Sequence, residues 1–259
     1  MSSDYEFITV DGKDIITITL NRPDIHNAVD EKMIAELTDC FSGIGPDVRA
    51  VVITGAGKSF CAGADLKWMK RMGQYSLEQN LADAGKLSDM FLALESIEIP
   101  TIAKVNGAAF GGGAGLVCAC DIAIASEEAK LSLSEVRLGL VPGVISPYVL
   151  DRIGPKKAAR QFMTGERLTA KDACRLGLID MAVASDELDK AVEDTISMIL
   201  SGGPEAVKAC KRLARTGAQM PRDKFMKHCI SEIANARASP EGKEGVSAFL
   251  EKREPSWRK

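Results

Sequence analysis

Histidine is almost missing from this chain, with only His26 and His228 among 259 residues. No GxSxG segment accompanies them, so a Ser-His-Asp hydrolase is hard to build, and both imidazoles read as solvated side chains. Positive charge is not in excess either: 33 Lys and Arg stand against 36 Asp and Glu, a net charge of −3. That removes the electrostatic footprint of a protein that binds nucleic acid or an anionic membrane. No apolar run approaches the ~18 residues that cross a bilayer. The opening "MSSDYEFITV" lacks a basic-then-apolar signal and an Arg-rich transit segment. A soluble, cytoplasmic protein is expected, with no membrane or nucleic-acid partner. The seven cysteines are odd in number and form no CxxC pair. Neither a disulfide framework nor a metal site is expected; they read as small buried hydrophobes in a reducing compartment.

Two glycine-bearing stretches invite nucleotide readings that their spacing refuses. "GAGKS" (55–59) follows an apolar strand, but a phosphate-binding loop needs glycine at position 52, which is Val52. "GGGAG" (111–115) begins like a dinucleotide fingerprint, yet its third glycine would fall at Leu116. Phosphoryl transfer and hydride transfer are both poor readings.

What is present is alternation of strand and helix. "FITVDGKDIITITL" predicts a hairpin turning at Asp11-Gly12, a dipeptide suited to positive φ in a tight turn. Residues 30–42 predict a helix capped by Asp30, with Met33, Ile34, Leu37 and Phe41 on one face. Continuous apolar strands follow at 49–55 and 101–107, with helical patterns at 66–72 and 77–96 between them. A short helix near 113–120 and strands at 121–126 and 130–134 complete the pattern of an α/β core. After about Val183 the chain turns helical: 186–201, 204–216, 222–237 and 241–253, with "TGAQMP" as one of the breaks. The expected organisation is a core over 1–185 and a helical region over 186–259, whose apolar faces call for a neighbouring subunit.

The chemistry must then come from backbone. Glycines at a strand-to-helix junction let a ligand approach the main chain and leave N–H groups free at the positive helix end. A second loop of small residues, "SFCAGAD" (59–65), follows another strand. Two such loops can aim two N–H groups at one oxygen, an oxyanion hole whose loss of one donor typically costs ~3 kcal/mol in barrier.

These segments resemble the crotonase, or enoyl-CoA hydratase/isomerase, superfamily. The match runs through "NRPDIHNAV" (21–29), "VVITGAGKSFCAGADL" (51–66), "IPTIAKVNGAAFGGGAGL" (99–116), "CDIAIAS" (120–126), "LSLSEVRLGLVPG" (131–143), "TGERLTAKDACRLGLID" (164–180) and "EGVSAFLEKREP" (244–255). The resemblance implies a spiral of ββα units with a C-terminal helical trimerisation region, assembled as trimers or hexamers. It implies an acyl-CoA thioester as substrate, with CoA as part of that substrate and no other cofactor. The two amides would belong to Ala64 and Gly112. Ala28, Ala62 and Lys67 would hold the CoA, with Phe249 and Lys252 reaching a neighbouring subunit's CoA; Trp68 and Gly143 would line the acyl pocket.

Family hydratases carry two glutamates. The second is present as Glu135, whereas the first position is Gly115. The resemblance implies Glu135 as acid/base and a vacated space at Gly115 for a bulkier acyl group; Ser146 and Tyr148 are candidates for orienting water. The "DLKWM" (65–69) and 108–150 segments resemble hydratases of the 3-methylglutaconyl- and isohexenylglutaconyl-CoA type. A single-glutamate isomerase that moves a double bond, and a non-catalytic acyl-CoA- or RNA-binding oligomer, are the competing readings.

Overall fold

A computed structural model describes residues 5–217 and 220–258 of the chain. The break expected at "TGAQMP" includes Ala218 and Gln219, which lie outside the described residues, as does the start of the N-terminal segment. Two compact units are present: one holds the residues up to 97 and 101–192, the other 98–100 and those from 193 onward.

The first unit opens on strands β1 (Ile8–Gly12) and β2 (Ile15–Leu20), paired antiparallel with Gly12 opposite Ile16. The hairpin is therefore real, but its turn falls at Lys13-Asp14 rather than Asp11-Gly12; Gly12 keeps the expected positive φ of 100° at the strand end. Helix α1 (Glu31–Ser42) starts where Asp30 accepts hydrogen bonds from the N–H groups of Lys32 and Met33. Its buried stripe is Met33, Ile34, Leu37, Cys40 and Phe41, each large side chain contributing about 1.5–3 kcal/mol by leaving water.

From here the chain winds. Strand β3 (Ala50–Gly55) leads to the short β4 (Ser59–Cys61), then to helices α2 (Leu66–Met72) and α3 (Leu77–Ser96). Strand β5 (Thr101–Val105) leads to β6 (Ala108–Phe110) and helix α4 (Gly112–Ala119). Strand β7 (Ile122–Ser126) leads to β8 (Lys130–Ser132) and helix α5 (Ser146–Thr164), which kinks at Gly154-Pro155. Each circuit thus places one strand in each of two sheets before a helix closes it. Strand β9 (Leu168–Thr169), helix α6 (Ala170–Leu176) and strand β10 (Met181–Val183) finish the core, and α7 (Leu188–Ser201) begins there.

The larger sheet has order β1-β2-β3-β5-β7-β10, parallel from β2 onward; the smaller has order β4-β6-β8-β9, with β4, β6 and β8 parallel. The expected spiral of ββα units is thereby observed. The strand expected at 130–134 is β8 of the smaller sheet; what periodicity misses there is β4, β6 and β9, of two or three residues each. Helix α4 is surrounded on all sides, for every residue from Gly113 to Ala119 is buried, which explains its lack of any polar stripe.

In the second unit, helices α8 (Pro204–Gly217), α9 (Arg222–Ala238) and α10 (Pro240–Glu251) follow the rest of α7, close to the expected spans. Residues 98–100 join them through the Lys211 ammonium, which donates to the Ile99 carbonyl at 2.6 Å. Among the described residues no helix is long and apolar enough to cross a membrane.

All seven cysteines are free thiols. Cys40, Cys61, Cys118 and Cys120 are buried as expected, and burial pushes Cys61 up to about 11 and Cys40 and Cys118 up to about 12. The expectation fails for the others: Cys210 is exposed and Cys174 and Cys229 are half-buried, since they sit on helices away from the strand core.

Candidate active site

Three neighbouring parallel strands deliver three loops to one edge of the smaller sheet. Ala64 follows β4, Gly112 follows β6, and Glu135 follows β8. Parallel strands align their carboxyl ends, so residues 48 and 23 positions apart arrive side by side. Ala64, Gly112 and Glu135 all line one cavity of about 470 Å³, together with Trp68 and Gly143. Five of the site residues expected from the sequence thus meet.

Each loop is shaped by its hydrogen bonds. The parallel bridge between Val29 and Ala64 uses the Gly63 carbonyl, which accepts from Val29 N–H at 2.8 Å, and the Asp65 N–H, which donates to Val29 at 2.8 Å. Amides alternate in direction along an extended chain, so this leaves the Ala64 N–H facing away from Val29. Asp65 then caps α2. Burial alone would raise Asp65, but the N–H groups of Trp68 and Lys67 and the Arg22 guanidinium outweigh it and hold its carboxyl below the usual range. Arg22 also donates to the Ala28 carbonyl at 2.6 Å and reaches Asp65 at 3.0 Å, clamping the two segments that frame Ala64.

Gly112 is the first residue of α4, where an N–H has no partner one turn back. Among the described residues neither the Ala64 N–H nor the Gly112 N–H has a hydrogen-bond acceptor. Gly111 precedes it with φ 51° and ψ −121°, a conformation open to glycine, and a Cβ there would stand 3.2 Å from Glu135 Oε1. At Gly113 a Cβ would meet the Cys61 carbonyl oxygen at 2.3 Å, so α4 can start against β4 only without a side chain. This is why the run is glycine.

Glu135 opens a short 3-10 turn, Glu135–Leu138. Its Oε2 is buried and has no hydrogen-bond partner among the described residues. Burial raises its carboxyl above the ordinary 4.5, offset in part by its own backbone N–H. A buried carboxyl oxygen without a partner costs free energy that packing alone does not explain.

The remaining expectations divide. Gly115 does not line the cavity, and the space expected there is absent: a Cβ would lie 2.3 Å from Ile145 Cγ2 and 3.0 Å from Phe91 Cζ. Ile145, buried at the start of α5, occupies the place that a first glutamate would take. Accordingly, Gly115→Ala is expected to cost about 1–3 kcal/mol by overpacking, and Ile145→Ala in the same chain should recover part of it, read by thermal unfolding of both variants and their double mutant. Ser146 and Tyr148 do not reach the cavity. The Ser146 hydroxyl donates to the Pro142 carbonyl at 2.6 Å, and Tyr148 is buried against Phe91 with ring centroids 5.2 Å apart. Ala28 has its N–H on Ile25 and its carbonyl on Arg22, Ala62 places its N–H on the His26 carbonyl, and neither residue lines the cavity. Lys67 is exposed on α2, outside the cavity. Phe249 and Lys252 belong to the second unit, at the end of α10, both exposed.

Asp83 and Asn80 were missed. They line the cavity from α3, and Asp83 accepts from the Trp68 indole N–H at 3.3 Å. A signal existed: the face of α3 that lines the cavity runs through 80, 83, 84, 87, 90 and 91, and its first two members are polar.

The sequence profile of the enoyl-CoA hydratase/isomerase family matches residues 11–259. The chain belongs to this family. Among relatives of this enoyl-CoA hydratase/isomerase chain, a crotonyl-CoA hydratase of Syntrophomonas wolfei is 34% identical over 258 residues, covering 98% of both chains. An (E)-benzylidenesuccinyl-CoA hydratase of Thauera aromatica is 34% identical, covering 93% of this chain and 94% of its own. The crystal structure of an enoyl-CoA hydratase from Shewanella pealeana superposes with a TM-score of 0.92 at 39% identity, over 98% of this chain and 97% of that one. The fold is thus the crotonase fold.

Proposed function

We propose that this protein is an enoyl-CoA hydratase with a single catalytic carboxyl group, Glu135. The observation that carries the reading is Glu135, whose side chain lines an apolar cavity with Ala64 and Gly112 and whose Oε2 is buried with no hydrogen-bond partner among the described residues. The thioester oxygen accepts hydrogen bonds from the two main-chain N–H groups, which are strongest when negative charge develops there. Glu135 removes a proton from water as the water oxygen bonds to C3 and the C2=C3 π pair moves toward the thioester oxygen. The resulting enolate takes the proton back from Glu135 at C2. One carboxyl group therefore serves as base and then as acid, and the two additions fall on the same face. Burial of Glu135 supports the second half, since a raised carboxyl holds and returns a proton near neutrality.

An isomerase is the second reading, because Ile145 stands where a second carboxylate would be and one base suffices to move a proton from C4 to C2. A set of unsaturated CoA thioesters, followed by loss of conjugated absorbance and by mass, separates them. Gain of one water supports the hydratase; rearrangement at constant mass supports the isomerase; binding without turnover removes both.

The acyl group we assign is uncharged or hydrogen-bond donating, and an apolar branch is compatible with the Met90, Phe91 and Leu116 floor. The glutaconyl-type chain expected from the sequence fits less well: the cavity holds two carboxyl groups, Glu135 and Asp83, and no Lys or Arg among its lining residues.

We also infer a trimeric or hexameric assembly through the helical unit, supported by Phe249, Leu250 and Val246, all largely exposed on α10. Phe249→Asp is expected to lower the mass in light scattering from that of the assembly toward that of one chain.

A further inference from the structure

We propose that the α3 wall of the cavity is a recognition site for acyl chains bearing a hydrogen-bond donor, a hydroxyl or an ammonium group, with Asp83 and Asn80 as its acceptors. The proposal rests on the acyl-CoA reading above and specifies its substrate class.

The donors and acceptors on this wall are unequal. The Asn80 amide nitrogen donates to the carbonyls of Tyr75 and Ser76, both at 3.2 Å, which leaves its oxygen as the group with capacity to spare. The Trp68 indole N–H is spent on Asp83 Oδ1. A carboxylate accepts at about four lone-pair positions, so Asp83 keeps capacity after that bond. Every side-chain donor on the wall is thus already turned to a protein acceptor, and what faces a ligand is acceptors. Asp83 is half-buried, and burial raises its carboxyl, offset in part by the Trp68 hydrogen bond; Glu31 nearby adds to the rise, and Lys86 and Arg71 oppose it from outside the cavity lining.

Asn80 is exposed and Asp83 half-buried, and both line the cavity. Asn80 and Asp83 continue the stripe that ends in the buried Met90, Phe91 and Leu94. A chain with only apolar function there would carry the stripe through. An ammonium group would also lie near the Trp68 ring, which attracts cations. A terminal carboxylate would meet acceptors and a like charge, a repulsive element that rejects it.

The test is calorimetric binding of saturated CoA thioesters, which cannot turn over, in chains of four to six carbons ending in methyl, hydroxyl, ammonium or carboxylate. At the best length, the hydroxyl or ammonium thioester is expected to bind about tenfold tighter than the methyl one, and the carboxylate thioester about tenfold weaker. Asp83→Asn should collapse the ammonium preference and the carboxylate penalty together. Equal weakening of every thioester by that substitution would assign Asp83 to the shared CoA portion or to holding α2 on α3, and the proposal falls. An unchanged order of affinities in Asp83→Asn also overturns it. Should that variant not fold, the wild-type order alone decides: no preference for a donor over methyl ends the proposal. Failure of crotonyl-CoA hydration with this order intact would instead remove the hydratase reading and leave the recognition site standing.

Discussion

Glu135→Gln is expected to slow hydration of crotonyl-CoA on the order of 1,000-fold while the affinity for the substrate changes little. Gln keeps the shape and the hydrogen-bonding reach of the side chain but cannot take a proton from water or return one to C2. The loss therefore belongs to kcat rather than to KM. Stability should move the other way. Burial raises the folded-state value of Glu135 above its ordinary 4.5. For a group raised in the folded state, its contribution to stability is full below 4.5 and is lost as pH rises through the raised value. Gln does not ionise and loses nothing over that interval. The variant should melt higher than the wild type at pH 8, and the difference should close as pH falls to 4.5. A variant that is slower and no more stable at pH 8 would mean that the carboxyl is paid for by contacts outside the described ones. Unchanged rates would remove Glu135 from the mechanism.

Gly112→Pro is expected to lower kcat about 100- to 1,000-fold, the loss that follows removal of one oxyanion donor. Proline is suited to the first position of a helix, where its missing N–H breaks no internal bond, and Gly112 is the first residue of α4. A Cβ at this position meets nothing within 4 Å. The substitution thus deletes one N–H and puts the ring Cδ in the position of the amide hydrogen, so the expected loss joins a missing donor to crowding of the thioester oxygen, while the Cβ itself is accommodated. Gly112→Ala is the control, since it adds a methyl group and retains the donor; its rate should stay well above that of the proline variant. Equal losses in both would assign the effect to crowding of the cavity. Circular dichroism and thermal unfolding establish that both variants keep the fold.

Much of the architecture was legible before any coordinates. Long amphipathic segments carry their period plainly: α1, α3 and the four C-terminal helices fall close to where spacing put them, and Asp30 caps α1 as its type predicts. The glycine run and Glu135 were legible as chemistry because glycine beside a helix start exposes backbone. Strands β4 and β6 were not legible. Three residues show no alternation, and their extended state comes from pairing with each other and with β8. The hairpin turn was displaced for a related reason: positive φ at Gly12 was correctly anticipated, but the pairing register set where the strands ended.

The error at Gly115 is the most instructive. A missing carboxylate looked like a missing volume. A gap of that size inside a protein forfeits dispersion contacts and is destabilising, and Ile145, thirty residues later, fills it. No local pattern relates those two positions. Asp83 presents the opposite case, since two polar residues on an apolar stripe were in plain view on α3, and only the knowledge that this stripe faces a cavity gives them meaning.

From its letters alone this chain determined its membership of a family, the alternation of strand and helix, the single glutamate and the small-residue loops. These are local matters: side-chain period, cap chemistry and backbone permissiveness are written residue by residue. Tertiary structure decided which ends met at one edge of the smaller sheet, which space was already filled, and which carboxyl groups shared a cavity. Those outcomes depend on parallel pairing and close packing between segments far apart in the chain, where each residue's environment is set by partners that its neighbours in sequence do not name.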